Sequence, residues 1–165
     1  MIRAAFLTLV IGMASCGYRP IRTTLHHLAQ RVCIAATDTS RIDEPRFATF
    51  YQRELARELM RRNIAVEPDV RADIPCFRSR VLALGSDDVA LSGARVGAEM
   101  VVVRLEVSLG KNKGPAWRSG MFELRERRYY AGETLRSEEL RKVTVLRLAQ
   151  RSATEVILRW TASDR

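Results

Sequence analysis

The chain has 165 residues, a length that favours one domain with its own hydrophobic core. Hydrophobic residues make up 47% of it and charged residues 28%, a balance that excludes an intrinsically disordered chain. The formal charge of +9 predicts attraction to polyanions such as nucleic acid, anionic lipid or phosphorylated glycolipid. The alternative is a solvated surface in an arginine-rich protein, since the lysines are only Lys111, Lys113 and Lys142.

Residues 1–15 have the order of segments that is typical of a secretory signal peptide. Arg3 precedes an apolar run over residues 4–14, and small residues lead into Cys16. The run is shorter than the roughly 20 residues of a membrane-spanning helix, so we expect it to be cleaved rather than kept as an anchor. Met13-Ala14-Ser15-Cys16 resembles a bacterial lipobox, in which a peptidase cuts before the cysteine and diacylglycerol is attached to its sulfur. An ordinary signal peptide with an incidental cysteine is the alternative.

Residues 16–30 lack a clean periodicity and predict an arm between the lipidated Cys16 and a single domain over residues 31–162. The adjacent His26 and His27 have no Cys, Asp or Glu spaced to join them, so we expect no metal site. An exported protein seldom meets nucleic acid. We therefore expect a membrane-associated anion as the partner of the basic chain, and no nucleic acid.

Periodicity predicts a strand over residues 31–36 and a helix that begins near Pro45. The core stripe of this helix recurs every fourth residue, at Phe47, Tyr51, Leu55 and Leu59. Glu54 and Glu58 are spaced to pair with Arg57, Arg61 and Arg62, and Asn63 is the predicted stop.

Three strands in a meander are predicted next, over residues 74–84, 98–109 and 121–130. Between them, residues 85–97 predict a hairpin connection, and residues 110–120 a turn-rich tip that bears Lys111, Lys113, Trp117 and Arg118. Residues 64–70 predict a connector that can hold a short extended piece. A final helix is predicted over residues 138–161, with Ser137 as its N-cap. Its buried stripe comprises Val145, Leu148, Ala149, Ser152, Ala153, Val156 and Trp160.

This order of elements predicts an α+β fold, a two-layer β-α-β-β-β-α domain. Both helices are expected to pack on one face of a four-stranded mixed sheet. The helical connection implies that the first two strands pair in parallel or lie as neighbours, through a right-handed crossover. The opposite face of the sheet is left open to solvent or to a partner.

The start of the mature chain, Cys16-Gly17-Tyr18-Arg19, resembles that of LptE-type lipopolysaccharide-assembly lipoproteins. The helix sequence over residues 53–59, Ala72-Asp73 before the second strand, and the order of the later elements are also similar to the family. The resemblance implies an outer-membrane lipoprotein, anchored by lipid at the periplasmic face, which plugs an LptD-type β-barrel. It also implies binding of lipopolysaccharide and help with its passage to the outer leaflet, without catalysis.

The sequence contains no G-x-S-x-G, H-E-x-x-H or Walker motif. We therefore expect no enzyme, no catalytic residue, no metal and no cofactor. Two other classes remain open: a structural accessory lipoprotein of another envelope machine, of secretin or flagellar type, and a periplasmic hydrolase.

Arginines at alternate strand positions predict the candidate lipopolysaccharide-binding site. These positions are Arg78, Arg80, Arg104, Arg125 and Arg127. If Arg78, Arg80 and Arg104 share the exposed face, they form a cationic stripe beside Lys111, Lys113 and Arg118. Planar guanidinium groups suit the phosphates of a lipid A head group. The alternative is a solvated face on which Glu106 and Glu123 are the counter-ions.

Two cysteines remain once Cys16 is lipidated, Cys33 and Cys76, in an oxidising compartment. Alternation places both on the outward face, near the beginnings of two strands expected to be parallel neighbours. That placement satisfies the separation of about 5.5 Å between Cα atoms that a disulfide requires. The prediction is a Cys33–Cys76 disulfide, and the alternative is two independent free cysteines.

Overall fold

The computed structural model describes residues 30–42, 44–89, 97–111, 114–130 and 134–163. In chain order the elements are β1 (Arg31–Ile34), α1 (Pro45–Met60), β2 (Ala65–Glu67), β3 (Cys76–Val89), β4 (Gly97–Lys111), β5 (Gly114–Tyr130) and α2 (Thr134–Ala162). The predicted α+β class is confirmed. The signal peptide, the lipobox and most of the predicted arm lie outside the described residues.

The strands form one sheet in the order β2-β1-β3-β4-β5. β1 pairs in parallel with both β2 and β3, whereas β3–β4 and β4–β5 are antiparallel. The parallel pairing expected from the helical connection is therefore confirmed. The predicted count of four strands was wrong by one, because Ala65–Glu67 adds a short edge strand to β1. Its first residue, Ala65, donates its N–H to the carbonyl of Gln30 at 3.0 Å.

The core lies between the helices and one face of the sheet. The four predicted stripe residues of α1 and the seven of α2 are all buried. They join the inward side chains of the sheet, among them Phe77 of β3 and Leu105 of β4, in one cluster. Trp160 of α2 meets the Phe77 ring edge-on, with 5.2 Å between the ring centroids. Burial of these stripes against one sheet face leaves the other face uncovered by either helix.

Several buried polar groups in this core are paired, whereas the buried hydroxyl group of Ser152 on α2 has no hydrogen-bond partner among the described residues. The hydroxyl groups of Tyr51 and Ser79 are hydrogen bonded at 3.0 Å, and Glu99 forms an ion pair with Arg128. Because a buried polar group without a partner costs free energy, these pairs keep the two charges and the two hydroxyl groups compatible with the core.

The α1 helix begins and ends as its sequence predicts. Pro45 occupies the first turn, and Asn63 has a φ of 59° just beyond the last turn. Asparagine tolerates this left-handed conformation better than most residues. Glu58 accepts hydrogen bonds from Arg61 at 2.6 Å and from Arg62 at 2.7 Å, and Glu54 binds Arg57 at 2.6 Å.

Two predicted connections are strand instead. Residues 85–89 extend β3, so that Gly85 pairs with Val102 of β4. Residues 114–120 belong to β5, and the β4–β5 hairpin closes between Lys111 and Gly114. Trp117 accordingly lies on a strand, and its ring meets the Phe77 ring edge-on at 6.4 Å. Burial of this large side chain and ladder pairing outweigh the turn preference of the local glycines and Pro115.

The start of α2 also differs from the prediction. The helix begins at Thr134, so Ser137 lies inside its first turn rather than at its N-cap. Leu135 and Arg136 are good helix formers, and their propensity outweighs the capping preference of Ser137. Among the described residues, neither helix is both long enough and apolar enough to span a membrane.

Candidate anion-binding face

The outward side chains of β3, β4 and β5 form a face opposite the helices, which we call the open face. Strand register determines which residues lie on this face, because paired residues point to the same side of a sheet. Arg78 pairs with Ser108 and Ser108 with Arg118, while Arg104 pairs with Glu123. Six predicted bases share this face: Arg78, Arg80, Arg104, Arg118, Arg125 and Arg127. The predicted cationic stripe requires Arg78, Arg80 and Arg104 to lie on one face of the sheet, and they do. Lys113 lies outside the described residues.

A cavity of about 680 Å³ opens at the hairpin end of the open face. Its lining brings together four of the predicted bases, which are Arg78, Arg80, Lys111 and Arg118. Ala35 and Ala36, which follow β1, form part of its wall, and Asp38 and Glu106 are its carboxylates. The cavity is thus cationic but contains acceptor groups as well.

Asp38 is held beside β3 by its own backbone. Its N–H donates to the Ser79 carbonyl at 2.9 Å, and its carbonyl accepts from the Val81 N–H at 2.9 Å. Its carboxylate accepts a hydrogen bond from the Ser40 N–H at 3.0 Å and another from Arg80 Nε at 3.3 Å. The hydrogen bonds from Ser40, followed by the charge of Arg80, hold the pKa of Asp38 below its usual value. Sequence reasoning missed this residue because no periodic pattern marks it.

The bases of the open face differ in how far their charge is compensated. Glu123 accepts hydrogen bonds at 2.6 Å from both Arg104 and Arg125, and these bonds lower the pKa of Glu123. The predicted counter-ion role of Glu123 therefore holds for these two arginines. Arg78 instead donates to the backbone carbonyl of Gly110 at 3.3 Å.

The bases at the cavity are less compensated than those beside Glu123. Within the described parts of the chain, Arg78, Lys111 and Arg118 form no ion pair with a carboxylate. Arg80 is paired with Asp38 and with no other described carboxylate. Positive charge is therefore concentrated at the hairpin end of the open face, where the cavity lies.

A second cavity, of about 450 Å³, lies between the N-terminal parts of the two helices. Its bases are Arg46, Arg141 and Lys142, and its carboxylates are Glu44 and Glu138. These carboxylates offset most of the charge, so this cavity is a weaker candidate for an anion. In the portion of the chain described, no cluster of three or more His, Cys, Asp or Glu side chains could hold a metal ion.

Cys33 and Cys76 are direct partners in the parallel β1–β3 pairing, and the structure joins them in a disulfide with Cα atoms 4.4 Å apart. They alternate with the core residues Val32 and Phe77, as the sequence indicates. Both are nonetheless buried rather than exposed. Their place on the side of the sheet opposite the core cluster therefore agrees with the prediction, although solvent does not reach them. The disulfide adjoins the cavity, since Arg78 follows Cys76 by two residues.

No family model and no curated protein matches this sequence. Solved structures with a similar fold include a protein described as a lipoprotein from Caulobacter crescentus, with a TM-score of 0.54 and 12% identity over 79% of this chain and 90% of that one. Rare lipoprotein B from Shewanella oneidensis has a TM-score of 0.52 and 14% identity over 81% and 96% of the two chains. A minor lipoprotein from Acinetobacter baumannii has a TM-score of 0.50 and 13% identity over 82% and 94%. At these identities the likeness is one of fold.

Proposed function

We propose that this protein is an outer-membrane lipoprotein of the LptE type, anchored through acylated Cys16 at the periplasmic face. In this proposal it binds lipopolysaccharide on the open face and partners an LptD-type β-barrel during insertion of lipopolysaccharide into the outer leaflet. The protein performs no catalysis.

The observation that carries the proposal is the cationic cavity on a sheet face that neither helix covers. Arg78, Lys111 and Arg118 have no carboxylate partner among the described residues, so their charge is available to a ligand. Guanidinium groups bind phosphate through two parallel hydrogen bonds, and a lysine adds a point charge. The phosphates of a lipid A head group match this chemistry.

The sequence before the domain supports the anchor. The 14 residues between Cys16 and Arg31 can span up to about 50 Å when extended, which lets the domain stand clear of the membrane surface. Three bacterial proteins described as lipoproteins share the fold, which supports a lipid-anchored envelope protein.

The open face also offers a surface to a protein partner. Met121 and Tyr129 of β5 expose 66% and 55% of their area, and they flank exposed Arg125 and Arg127. Methionine, tyrosine and arginine are enriched in protein interfaces. We expect the barrel to contact this part of β5, beside the cavity.

Reversing two cavity charges tests the lipopolysaccharide site. We expect Arg78→Glu with Arg80→Glu to weaken lipopolysaccharide binding at low salt by about tenfold or more, because each substitution replaces an attractive charge by a repulsive one. The matched control is Arg41→Glu with Arg71→Glu, which makes the same charge change at exposed positions outside both cavities. If both pairs of substitutions weaken lipopolysaccharide binding equally, or if the cavity pair leaves it unchanged in a folded protein, the cavity is not the binding site.

A pulldown of the lipidated protein from outer membranes tests the partner. We expect a β-barrel of the LptD type to copurify. A copurifying secretin would instead favour the accessory lipoprotein of another envelope machine.

A further inference from the structure

Glu106 is a carboxylate that lines the cationic cavity. It lies on β4, paired in register with Arg80 on one side and with Met121 on the other. Arg80 directs its Nε to Asp38 rather than to Glu106. Within the described parts of the chain, Glu106 makes no ion pair or hydrogen bond, and its side chain is half-buried.

This arrangement does not suit a bare anion. A carboxylate accepts hydrogen bonds and donates none, so Glu106 repels a phosphate group that enters beside it. The same carboxylate is a strong acceptor for a hydroxyl group. A ligand that carries hydroxyl groups next to its phosphates satisfies both the bases and Glu106.

The size of the cavity also exceeds what a phosphate requires. Its 680 Å³ lies within the range of about 300–1,000 Å³ that holds drug-sized ligands. A phosphate group alone leaves most of that volume to water, whereas one or two sugar rings fill it. Ser108, paired between Arg78 and Arg118, adds a hydroxyl group to the lining.

We infer that the cavity selects phosphorylated saccharides over bare polyanions, and that Glu106 is the specificity-determining residue, accepting hydrogen bonds from sugar hydroxyl groups beside the bound phosphates. This inference deepens the proposed function and rests on it. The ligand can be the head group of a glycolipid or a free sugar phosphate, because both present the same chemistry.

Replacing Glu106 should shift two affinities in opposite directions. At low ionic strength we expect Glu106→Ala to bind inorganic pyrophosphate about threefold more tightly, because a repulsive charge is removed. We expect the same variant to bind glucose bisphosphate about fivefold more weakly, because a charged hydrogen-bond acceptor is lost. Calorimetric titration of the full protein measures both, and a thermal melt verifies folding.

Glu123→Ala is the matched control, since it removes a carboxylate from the same face but outside the cavity. We expect it to leave the ratio of the two affinities unchanged. Parallel gains for both ligands in Glu106→Ala, or no change in either, would overturn the inference. The inference and the proposed function can fail separately. If Glu106→Ala binds both ligands more tightly while Arg78→Glu with Arg80→Glu still weakens lipopolysaccharide binding, the inference is overturned and the proposed function remains intact.

Vesicles distinguish the two sources of the ligand. If the ligand is a glycolipid, Glu106→Ala should weaken binding to phosphatidylcholine vesicles that contain bisphosphorylated lipid A, as it weakens binding to glucose bisphosphate. The vesicles can fail to bind while the wild type still binds glucose bisphosphate more tightly than Glu106→Ala does. In that case the saccharide selectivity stands and the ligand is a free sugar phosphate. The proposed function fails in that case.

Discussion

Arginine supplies most of the positive charge of this chain, and the role of each arginine depends on the carboxylate beside it. Glu58 holds Arg61 and Arg62 on the surface of α1, where they stabilise the helix. Arg78 of the open face binds only a backbone carbonyl among the described residues, so its charge remains available to a ligand. Strand alternation predicts which face an arginine occupies. It does not predict a partner such as Asp38, which reaches Arg80 across 42 residues of chain.

The Glu58 network predicts an acid-sensitive contribution to stability. The hydrogen bond from Arg62 is the largest cause that lowers the pKa of Glu58. Because the pKa of Glu58 is lower in the folded state than in the unfolded state, ionised Glu58 stabilises the fold at pH values above its unfolded-state pKa of about 4.3. This contribution is lost as the pH falls through the folded-state pKa. We expect Glu58→Gln to lower the free energy of unfolding at neutral pH by about 1 kcal/mol. Urea unfolding at several pH values measures the difference.

The difference between Glu58→Gln and the wild type should shrink on acidification. Glu139→Gln, at an exposed position of α2, is the control and should match the wild type throughout. A deficit of Glu58→Gln that stays constant from neutral to acid pH would show that the charge of Glu58 is not its source.

At the scale of elements, long periodic segments were predictable and irregular ones were not. The stripe of α1 and the alternation of β4 identify both elements, because burial on one side imposes a period on the sequence. The first half of β5 was predicted as a loop, since glycines and Pro115 favour turns locally. Pairing with β4 and burial of Trp117 against Phe77 decide its conformation, and both depend on residues distant in sequence. The cavity was unpredictable for the same reason, because its wall comes from the chain after β1.

The end of α1 depends on the left-handed conformation of Asn63. An alanine there, with its φ of 59°, should cost about 1 kcal/mol of folding free energy, because alanine keeps the Cβ that crowds the backbone and lacks the polar group with which asparagine tolerates this conformation. Glycine has no Cβ, so Asn63→Gly should be close to neutral. Chemical denaturation of the two variants tests this difference, and an equal loss in both would point to the asparagine side chain instead.

The Cys33–Cys76 disulfide fixes the short β1 strand to β3. It closes a loop with a sequence separation of 43 residues, which corresponds to about 4 kcal/mol on the chain-entropy model. We expect Cys33→Ala, and Cys33→Ala with Cys76→Ala, to lose similar free energy of unfolding, because either change removes the bond. Guanidinium unfolding with and without reductant measures this loss. Alkylation of both thiols in the native, unreduced protein would contradict the bond.

At the scale of the whole molecule, the proposed function divides the two faces of the sheet between stability and recognition. The helix side contains the core cluster, whereas the open face carries the cationic cavity and exposed side chains of β5. In the proposed function, an arm leads from the lipid to the beginning of β1 and tethers the domain to the membrane. This division leaves the open face available to a ligand and a partner.

In the proposed function, lipidation at Cys16 decides where the molecule resides. We expect mass spectrometry to find Cys16 acylated at the mature N-terminus, and we expect Cys16→Ser to release a soluble periplasmic form. Several acyl chains hold a protein firmly, whereas one alone binds marginally. Ser86→Ala, at an exposed position of β3, is the control and should remain with the membrane. An unmodified Cys16 in the mature protein would rule out the anchor.

Photo-crosslinking in living cells tests lipopolysaccharide binding at the open face most directly. A benzoylphenylalanine at Ser108 places the probe in the cavity, and one at Thr154 places it on α2, outside the cavity. If lipopolysaccharide binds at the open face, an adduct forms from position 108 and none forms from position 154. Adducts of equal yield from both positions, or none from position 108 in a correctly localised protein, would contradict it.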